Sequence, residues 1–247
     1  MGIQASYQLF PISQEEIAQI ATHLKSQGIK GVNVTMPYKE RVLSQLDVTS
    51  DEAKAIGAVN TIALKEDKLY GYNTDYFGFG KMLVANRITA HHKTAVILGT
   101  GGASKAVVTY LLDNQIKNIY LVTRNKSQPI VPHPKAKVIS YEELKGITGD
   151  LLINTTPVGM SPAAEATPVG IEIVKNYTTL IDLIYHPQET TFLKLGKSCD
   201  KITLDGLYML VAQAVKAQEI WQEQDIPDCM IDNIYLRLER IVNEGAS

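Results

Sequence analysis

The glycines at 99, 101 and 102 are the first residues whose type and spacing point to chemistry. Four apolar residues, 95–98, run directly into Gly99-Thr100-Gly101-Gly102-Ala103-Ser104, and apolar residues at helical spacing follow in 107–112. The pattern predicts a buried parallel strand, a tight turn and a helix. Such a turn lets a pyrophosphate approach the backbone and rest on the helix N-terminus, where free N–H groups and the dipole favour anions. We therefore predict dinucleotide binding, with a plain strand-to-helix turn as the alternative.

A cation follows the next predicted strand, at the position that selects between nicotinamide cofactors. In dinucleotide folds an acid there usually holds the adenosine ribose of NAD, whereas an arginine suits the 2′-phosphate of NADP. Here residues 119–122 run into Thr123-Arg124-Asn125-Lys126, which has two cations and no carboxylate. Because arginine binds phosphate in a planar fork, we expect Arg124 to contact that phosphate. A solvated loop arginine is the alternative.

Three further polar residues, Lys39, Thr74 and Asp75, stand at the start of helical patterns. Lys39 follows Pro37, which can begin a helix at its first position. A lysine in the first helical turn opposes the helix dipole, which makes it unusual, although a solvated surface lysine is the alternative. Thr74 and Asp75 precede another helical pattern, and an N-cap role alone would explain either residue.

Strand and helix patterns alternate through the middle of the chain. Strands are predicted at 94–99, 118–123, 136–140, 150–154 and 178–184, and helices at 102–114, 141–146 and 189–198. This alternation predicts an α/β fold with a parallel sheet and helices on its faces.

The first part of the chain has a different pattern. A short strand-like run at 7–12 precedes a capping box formed by Ser13 and Glu16, and a half-buried strand is predicted at 32–36. A β-hairpin is predicted from 58–64 and 68–72, where Asn60 could be a polar residue of the outer face.

The chain ends in two amphipathic helical patterns, with Gln213 at the flank of the first apolar stripe. A plain helix-surface glutamine is one interpretation of Gln213. Because the pattern changes near residues 80 and 206, we predict two domains. Residues 1–78 and 207–247 form an α/β substrate domain completed by C-terminal helices, and residues 79–206 form a Rossmann-type dinucleotide domain.

Composition excludes several classes of protein. The chain has 247 residues, 45% of them hydrophobic, and its 24 basic and 26 acidic residues leave no basic patch of the kind that nucleic acid requires. No apolar run approaches a membrane span, and no signal-peptide pattern is present. The two cysteines and five histidines are not at metal-ligand spacing. We expect a cytoplasmic monomer or homodimer that binds a small molecule and no metal, nucleic acid or membrane.

Seven stretches together resemble the shikimate dehydrogenases, in the family's order and over nearly the whole chain. They are Gly-Val-Asn-Val-Thr-Met-Pro-Tyr-Lys at 31–39, Gly-Ala-Val-Asn-Thr at 57–61, Gly-Tyr-Asn-Thr-Asp at 71–75, Gly-Thr-Gly-Gly-Ala-Ser at 99–104, Asn-Thr-Thr-Pro-Val-Gly-Met at 154–160, Asp-Leu-Ile-Tyr-His-Pro at 182–187 and Asp-Gly-Leu-Tyr-Met-Leu-Val-Ala-Gln-Ala at 205–214. The glycine turn alone is unspecific, whereas the seven together are very specific.

The resemblance implies reversible NADPH-dependent reduction of 3-dehydroshikimate to shikimate, on the chorismate route to aromatic amino acids. Lys39 and Asp75 match the family's catalytic pair, and a lysine–carboxylate pair can relay a proton and hold a developing alkoxide. Residues that match substrate-side positions are Thr35, Asn60, Tyr185 and Gln213. The residues expected at the cofactor are Gly99, Gly101, Gly102, Ala103, Thr123, Arg124, Lys126, Thr155, Gly206 and Met209.

The chain departs from the family's pattern in two places. The family begins with a strand and helix whose Ser-x-Ser motif grips the substrate carboxylate, and this sequence has no such stretch. The cause is open between a mis-assigned start, an artificial boundary and a real truncation, and we expect weak activity on shikimate. Gln128 also replaces a second basic residue of many NADP-dependent relatives. The alternatives are therefore a quinate/shikimate dehydrogenase that also uses NAD, or a weakly active cofactor-binding relative.

Overall fold

The computed structural model describes residues 4–13, 15–125 and 133–244, which form two β-sheets with helices packed around them. The strands are β1 Gly31–Asn33, β2 Val48–Thr49, β3 Thr61–Lys65, β4 Lys68–Tyr72, β5 Thr94–Leu98, β6 Asn118–Val122, β7 Ala136–Ile139, β8 Leu151–Asn154, β9 Thr179–Asp182 and β10 Ile202–Leu204. The α-helices are α1 Ile20–Ser26, α2 Asp51–Ile56, α3 Thr74–Ala85, α4 Gly102–Asp113, α5 Tyr141–Leu144, α6 Ile171–Val174, α7 Thr191–Ser198, α8 Leu207–Gln222 and α9 Asp228–Glu244. Two 3-10 turns span Glu16–Gln19 and Arg41–Gln45.

The larger sheet has six parallel strands in the order β10-β9-β8-β5-β6-β7. Counted from β5, this is the 3-2-1-4-5-6 order of doubly wound dinucleotide-binding folds. Every residue of β8 and β9 is buried, because helices cover both faces of the sheet. The strand order reverses between β5 and β8, and ligands bind such folds in the crevice at this point. The predicted α/β fold with a Rossmann-type parallel sheet is confirmed.

The smaller sheet has four strands in the order β1-β3-β4-β2, of which only β2 and β4 pair in parallel. The predicted hairpin forms from β3 and β4. Within the described ranges, β1 has a strand neighbour on one side only. A cleft of about 630 Å³ separates its other side from residues 6–12.

Three local predictions for the first part of the chain were wrong. Residues 7–12 form no strand, and Leu9 is 93% exposed, because no neighbouring strand pairs with this stretch. The strand predicted at 32–36 ends at Asn33, and the helix expected after Pro37 is only the 3-10 turn Arg41–Gln45. The capping box does form, since the N–H of Ser13 donates to Glu16 Oε2 at 2.7 Å. In the larger sheet, the sequence did not predict strand β10. A strand of three partly exposed residues is too short to show a clear periodicity.

Helices α3 and α8 pack along each other between the two sheets. Trp221 of α8 donates its indole N–H to the carbonyl of Ile62 in β3 at 2.9 Å, so α8 contacts the smaller sheet. At the other end of α8, Met209 joins the core beneath the parallel sheet. The predicted domain boundary at residue 78 lies inside α3, which runs through it without a break. None of the helices in the described ranges combines the length and apolar content that crossing a bilayer requires.

Candidate active site

Lys39 and Asp75 meet in an ion pair. Lys39 Nζ donates to Asp75 Oδ2 at 2.6 Å, and the two side chains are only 18% and 11% exposed. Asp75 lies in the first turn of α3, where the helix dipole stabilises a carboxylate. The surface-lysine interpretation of Lys39 is therefore wrong.

The N-cap of α3 is Asn73, whose side chain accepts the N–H of Tyr76 at 3.3 Å. The N-cap alternative for Thr74 and Asp75 is therefore wrong, because both residues lie within the first helical turn. Their side chains instead accept hydrogen bonds from the side-chain amide of Asn60, which directly precedes β3.

Asn60 connects the two residues that begin α3. Its side-chain amide donates to Asp75 Oδ1 at 2.9 Å, and its carbonyl oxygen accepts the N–H of Thr74 at 2.7 Å. The hydroxyl of Thr74 donates to Gln213 Oε1 at 3.3 Å. Asn60 is buried, so its interpretation as an outer-face residue of the hairpin is wrong. Both carboxylate oxygens of Asp75 are thus held, and Asn60 and Gln213 lie in one network with the Lys39–Asp75 pair.

Thr35 and Tyr185 are both solvent-exposed. Thr35 is exposed beside the cleft along β1, and its carbonyl accepts the N–H of Tyr38 at 2.9 Å. Tyr185 follows β9 and is 47% exposed. The hydrogen bonds of the described residues join neither side chain to the Lys39–Asp75 pair.

The glycine turn has the backbone that a dinucleotide requires. Gly99 has a φ of +106°, and a Cβ built on it would lie 2.9 Å from Thr155 Oγ1, so glycine is required there. Gly101 caps α4 without a side-chain bond, and a Cβ built there would meet nothing within 4 Å. The open space over Gly101 and the N–H groups of the first turn of α4, which includes Ala103, fit a pyrophosphate.

The pair and the turn are neighbours. A Cβ built on Gly102 would lie 3.6 Å from Cδ of Lys39. A second ion pair joins the same two segments, since Lys105 Nζ of α4 lies 2.7 Å from Glu40 Oε1. Sequence reasoning missed this pair, because no local pattern relates a charge at 40 to one at 105.

Thr123, Arg124 and Gly206 follow the carboxyl ends of parallel strands. Thr123 is buried after β6, where its hydroxyl oxygen accepts the N–H of Asn125 at 3.1 Å, and Arg124 is exposed. Gly206 packs so closely on the carbonyl of Leu183 that any Cβ would collide. Lys126 and Gln128 lie outside the described residues.

Sequence reasoning assigned no role to Thr61, which is buried beside Asn60. Its hydroxyl oxygen accepts the amide of Asn33 at 3.1 Å and contacts Thr74 Oγ1 at 3.3 Å. A polar residue directly after Asn60 in a buried strand was the available signal. In the described part of the chain, no three His, Cys, Asp or Glu side chains are grouped to hold a metal ion.

Comparison with known proteins agrees with this geometry. A family model described as the shikimate dehydrogenase substrate binding domain matches residues 1–62. The shikimate dehydrogenase (NADP(+)) of Clostridium beijerinckii is 51% identical over 234 residues, which cover 94% of this chain and 85% of that protein. Relatives named in this way specify NADP(+), so the alternative of NAD use is not favoured.

Two solved structures extend the similarity to the fold. Shikimate dehydrogenase 1 from Peptoclostridium difficile is 53% identical with a TM-score of 0.86, and the match covers 94% of this chain and 86% of that one. Shikimate 5-dehydrogenase from Thermus thermophilus, in complex with NADP(H) and shikimate, is 29% identical with a TM-score of 0.81, over 96% of this chain and 89% of that one. The resemblance carried by the seven stretches is confirmed, and the chain belongs to the shikimate dehydrogenase family.

Proposed function

We propose that this protein catalyses the reversible NADP-dependent reduction of 3-dehydroshikimate to shikimate. The observation that carries the proposal is the partly buried Lys39–Asp75 pair, 2.6 Å long, directly beside the glycine turn of a doubly wound sheet. Hydride and proton transfer to one carbonyl group need this juxtaposition, because the cofactor and the proton donor must reach the same bond.

The chain's own residues supply the proton. When bound, NADPH supplies the hydride that adds to the carbonyl carbon. Lys39 Nζ donates a proton to the carbonyl oxygen as negative charge develops there, and in the reverse direction it accepts the proton of the hydroxyl. Asp75 fixes the position of Lys39 Nζ, while the amide of Asn60 holds the other carboxylate oxygen.

The residues around the Lys39–Asp75 pair hold the substrate. Gln213 and Asn60 present amide groups in the network around Thr74, which suits the hydroxyls of shikimate. Thr35 and Tyr185, which are exposed, bind further hydroxyl or carboxylate groups of the substrate in this proposal.

The residues of the glycine turn and its surroundings hold the cofactor. The open backbone at Gly101 and the N-terminus of α4 would hold the pyrophosphate, with Thr155 supporting the turn through the carbonyl of Leu98. Met209 would contact the nicotinamide end, and Arg124 would bind the 2′-phosphate.

Residues 1–78 and 207–247 form the substrate domain and residues 79–206 the cofactor domain in this proposal. Tyr185 reaches the substrate from the cofactor domain, and Met209 reaches the cofactor from the substrate domain. A cytoplasmic monomer or homodimer is part of the proposal.

The test is a steady-state assay that follows NADPH absorbance, with shikimate or quinate as substrate and NADP or NAD as cofactor. We expect the highest kcat/KM with shikimate and NADP. A parallel titration of NADPH fluorescence reports whether the cofactor site is intact. NADPH binding without any turnover of shikimate would overturn the proposed substrate.

A further inference from the structure

One buried carboxylate joins three segments at the carboxyl edge of the parallel sheet. Asp182 ends β9 and has no exposed surface. Its Oδ1 accepts the side-chain amide of Asn154 at 3.0 Å and the N–H of Ile184 at 3.1 Å, and its Oδ2 accepts the hydroxyl of Thr190 at 2.7 Å. Asn154 is the last residue of β8, Ile184 lies in the segment after β9, and Thr190 is the N-cap of helix α7.

The loop after β8 forms the floor of the glycine turn. The carbonyl oxygen of the Asn154 side chain accepts the N–H and the hydroxyl of Thr156 at 3.0 and 2.7 Å. Within this tight turn, the hydroxyl of Thr155 donates to the carbonyl of Leu98 at 2.8 Å. A Cβ built on Gly99 would lie 2.9 Å from both threonine side chains. The Asn154 side chain therefore links Asp182, through hydrogen bonds, to the backbone that packs against the glycine turn.

The three groups that donate hydrogen bonds to Asp182 are all neutral. Within the described residues no ion pair includes Asp182. The charged group that influences its pKa is another carboxylate, that of Asp205 before α8. Burial raises the pKa of Asp182 from 3.8 to about 6, although its three donors oppose this shift. A buried carboxylate with only neutral donors is a poor choice for stability alone.

We propose that Asp182 is a positioning residue of the dehydrogenase, which holds the Asn154–Thr156 turn against the glycine turn and so shapes the NADP site. The inference rests on the function proposed above. Neither Lys39 nor Asp75 bonds to Asp182 or to this turn. Its loss is therefore expected to act mainly on cofactor binding and less on the proton transfer.

Three variants test the proposal. In Asp182→Asn, the amide keeps an oxygen for Asn154 and Ile184 and offers its NH₂ to the hydroxyl oxygen of Thr190, so the turn stays in place. Asp182→Ala removes all three contacts. Asp150→Ala is the matched control, because Asp150 also joins two strands, through the N–H of Thr94 at 2.9 Å, but at the amino edge of the same sheet.

We expect Asp182→Ala to raise the KM for NADP about 10-fold or more, the loss of about 1.4 kcal/mol of binding, with a smaller change in kcat. Asp182→Asn should restore the KM for NADP, and Asp150→Ala should lower the melting temperature with unchanged kinetic constants. All rates are measured well below each variant's melting temperature. If Asp182→Ala does not fold, Asn154→Ala takes its place with the same expected KM.

The proposal is overturned if Asp182→Ala or Asn154→Ala keeps the wild-type KM for NADP, or if Asp150→Ala shifts it equally. An inactive wild-type protein that still binds NADPH would instead count against the proposed substrate. In that case the dissociation constant for NADPH, measured by fluorescence, replaces KM as the readout.

Discussion

The Asp75 region and the Asp182 region use the same side chain in opposite ways. Asp75 lies at the positive end of α3 and holds a lysine ammonium at 2.6 Å. Asp182 lies at the end of a buried strand and holds only neutral donors. A carboxylate paired with a movable proton carrier can take part in acid–base chemistry, whereas one bound by an amide, a backbone N–H and a hydroxyl can only fix their positions. The difference shows that burial alone does not identify a catalytic acid.

The sharpest test of this contrast removes the proton carrier. Lys39→Ala should lower kcat about 10²–10⁴-fold, because general acid–base help is typically of that size. Asp75→Asn should also lower kcat, and the double variant should lose less than the product of the two single losses, since paired residues act as a unit. Steady-state kinetics with shikimate and NADP measure all three.

Lys81→Ala is the matched control for this test. Lys81, also on α3, makes an ion pair of the same length, 2.6 Å, with Asp228 of α9. A similar loss of kcat in this variant would show that ion pairs on α3 act through stability and not through proton transfer.

On the cofactor side, Arg124→Ala should weaken NADP binding about 10- to 100-fold, because a charge-assisted contact to phosphate contributes about 1.5–3 kcal/mol. NAD binding should stay nearly constant, since NAD lacks that phosphate. Fluorescence titration with NADPH and NADH separates the two effects. Arg240→Ala removes an exposed arginine of α9 and should change neither constant. Equal losses for both cofactors would mean that Arg124 supports its loop.

The pH dependence of stability tests the burial of Asp182. The pKa of Asp182 in the folded protein is raised to about 6 from 3.8, so its contribution is favourable at low pH and is lost as pH rises through this window. Relative to wild type, Asp182→Asn should therefore gain about 2–3 kcal/mol between pH 4 and pH 6 and stay level above that. Urea unfolding at a series of pH values measures the difference. If the difference in the free energy of unfolding between the two proteins did not change with pH, Asp182 would not be a buried carboxylate that lacks a cationic partner.

The smallest effect is expected where the two sides meet at the surface. The Glu40–Lys105 ion pair spans from the Lys39 segment to α4, but Glu40 is 54% exposed. Lys105→Ala should change kcat/KM by no more than about 5-fold, because exposed pairs contribute about 0.2–1 kcal/mol. The effect should fade as salt concentration is raised. A large effect that salt leaves intact would place Lys105 in the cofactor site itself.

Local patterns allowed a good part of the fold to be predicted. The apolar run of β5, the glycine turn and α4 lie within twenty residues of one another, so periodicity and turn chemistry sufficed. The alternation that follows predicted the parallel sheet for the same reason. The strand predicted at 7–12 failed because an extended run becomes a strand only with a neighbouring strand to pair with.

The sequence by itself determined most of the strand–helix alternation after residue 94, the dinucleotide turn and the family, because these depend on neighbouring residues and on seven ordered motifs. Lys39 and Asp75 were named through that resemblance and not through their spacing. Only the tertiary structure decided that Asn60 is buried against Asp75, that Glu40 meets Lys105, and that Asp182 anchors the floor of the glycine turn. Each of these contacts joins residues 15 to 65 positions apart. The physical reason is that side-chain geometry between distant segments depends on how sheets and helices pack, which no local periodicity encodes.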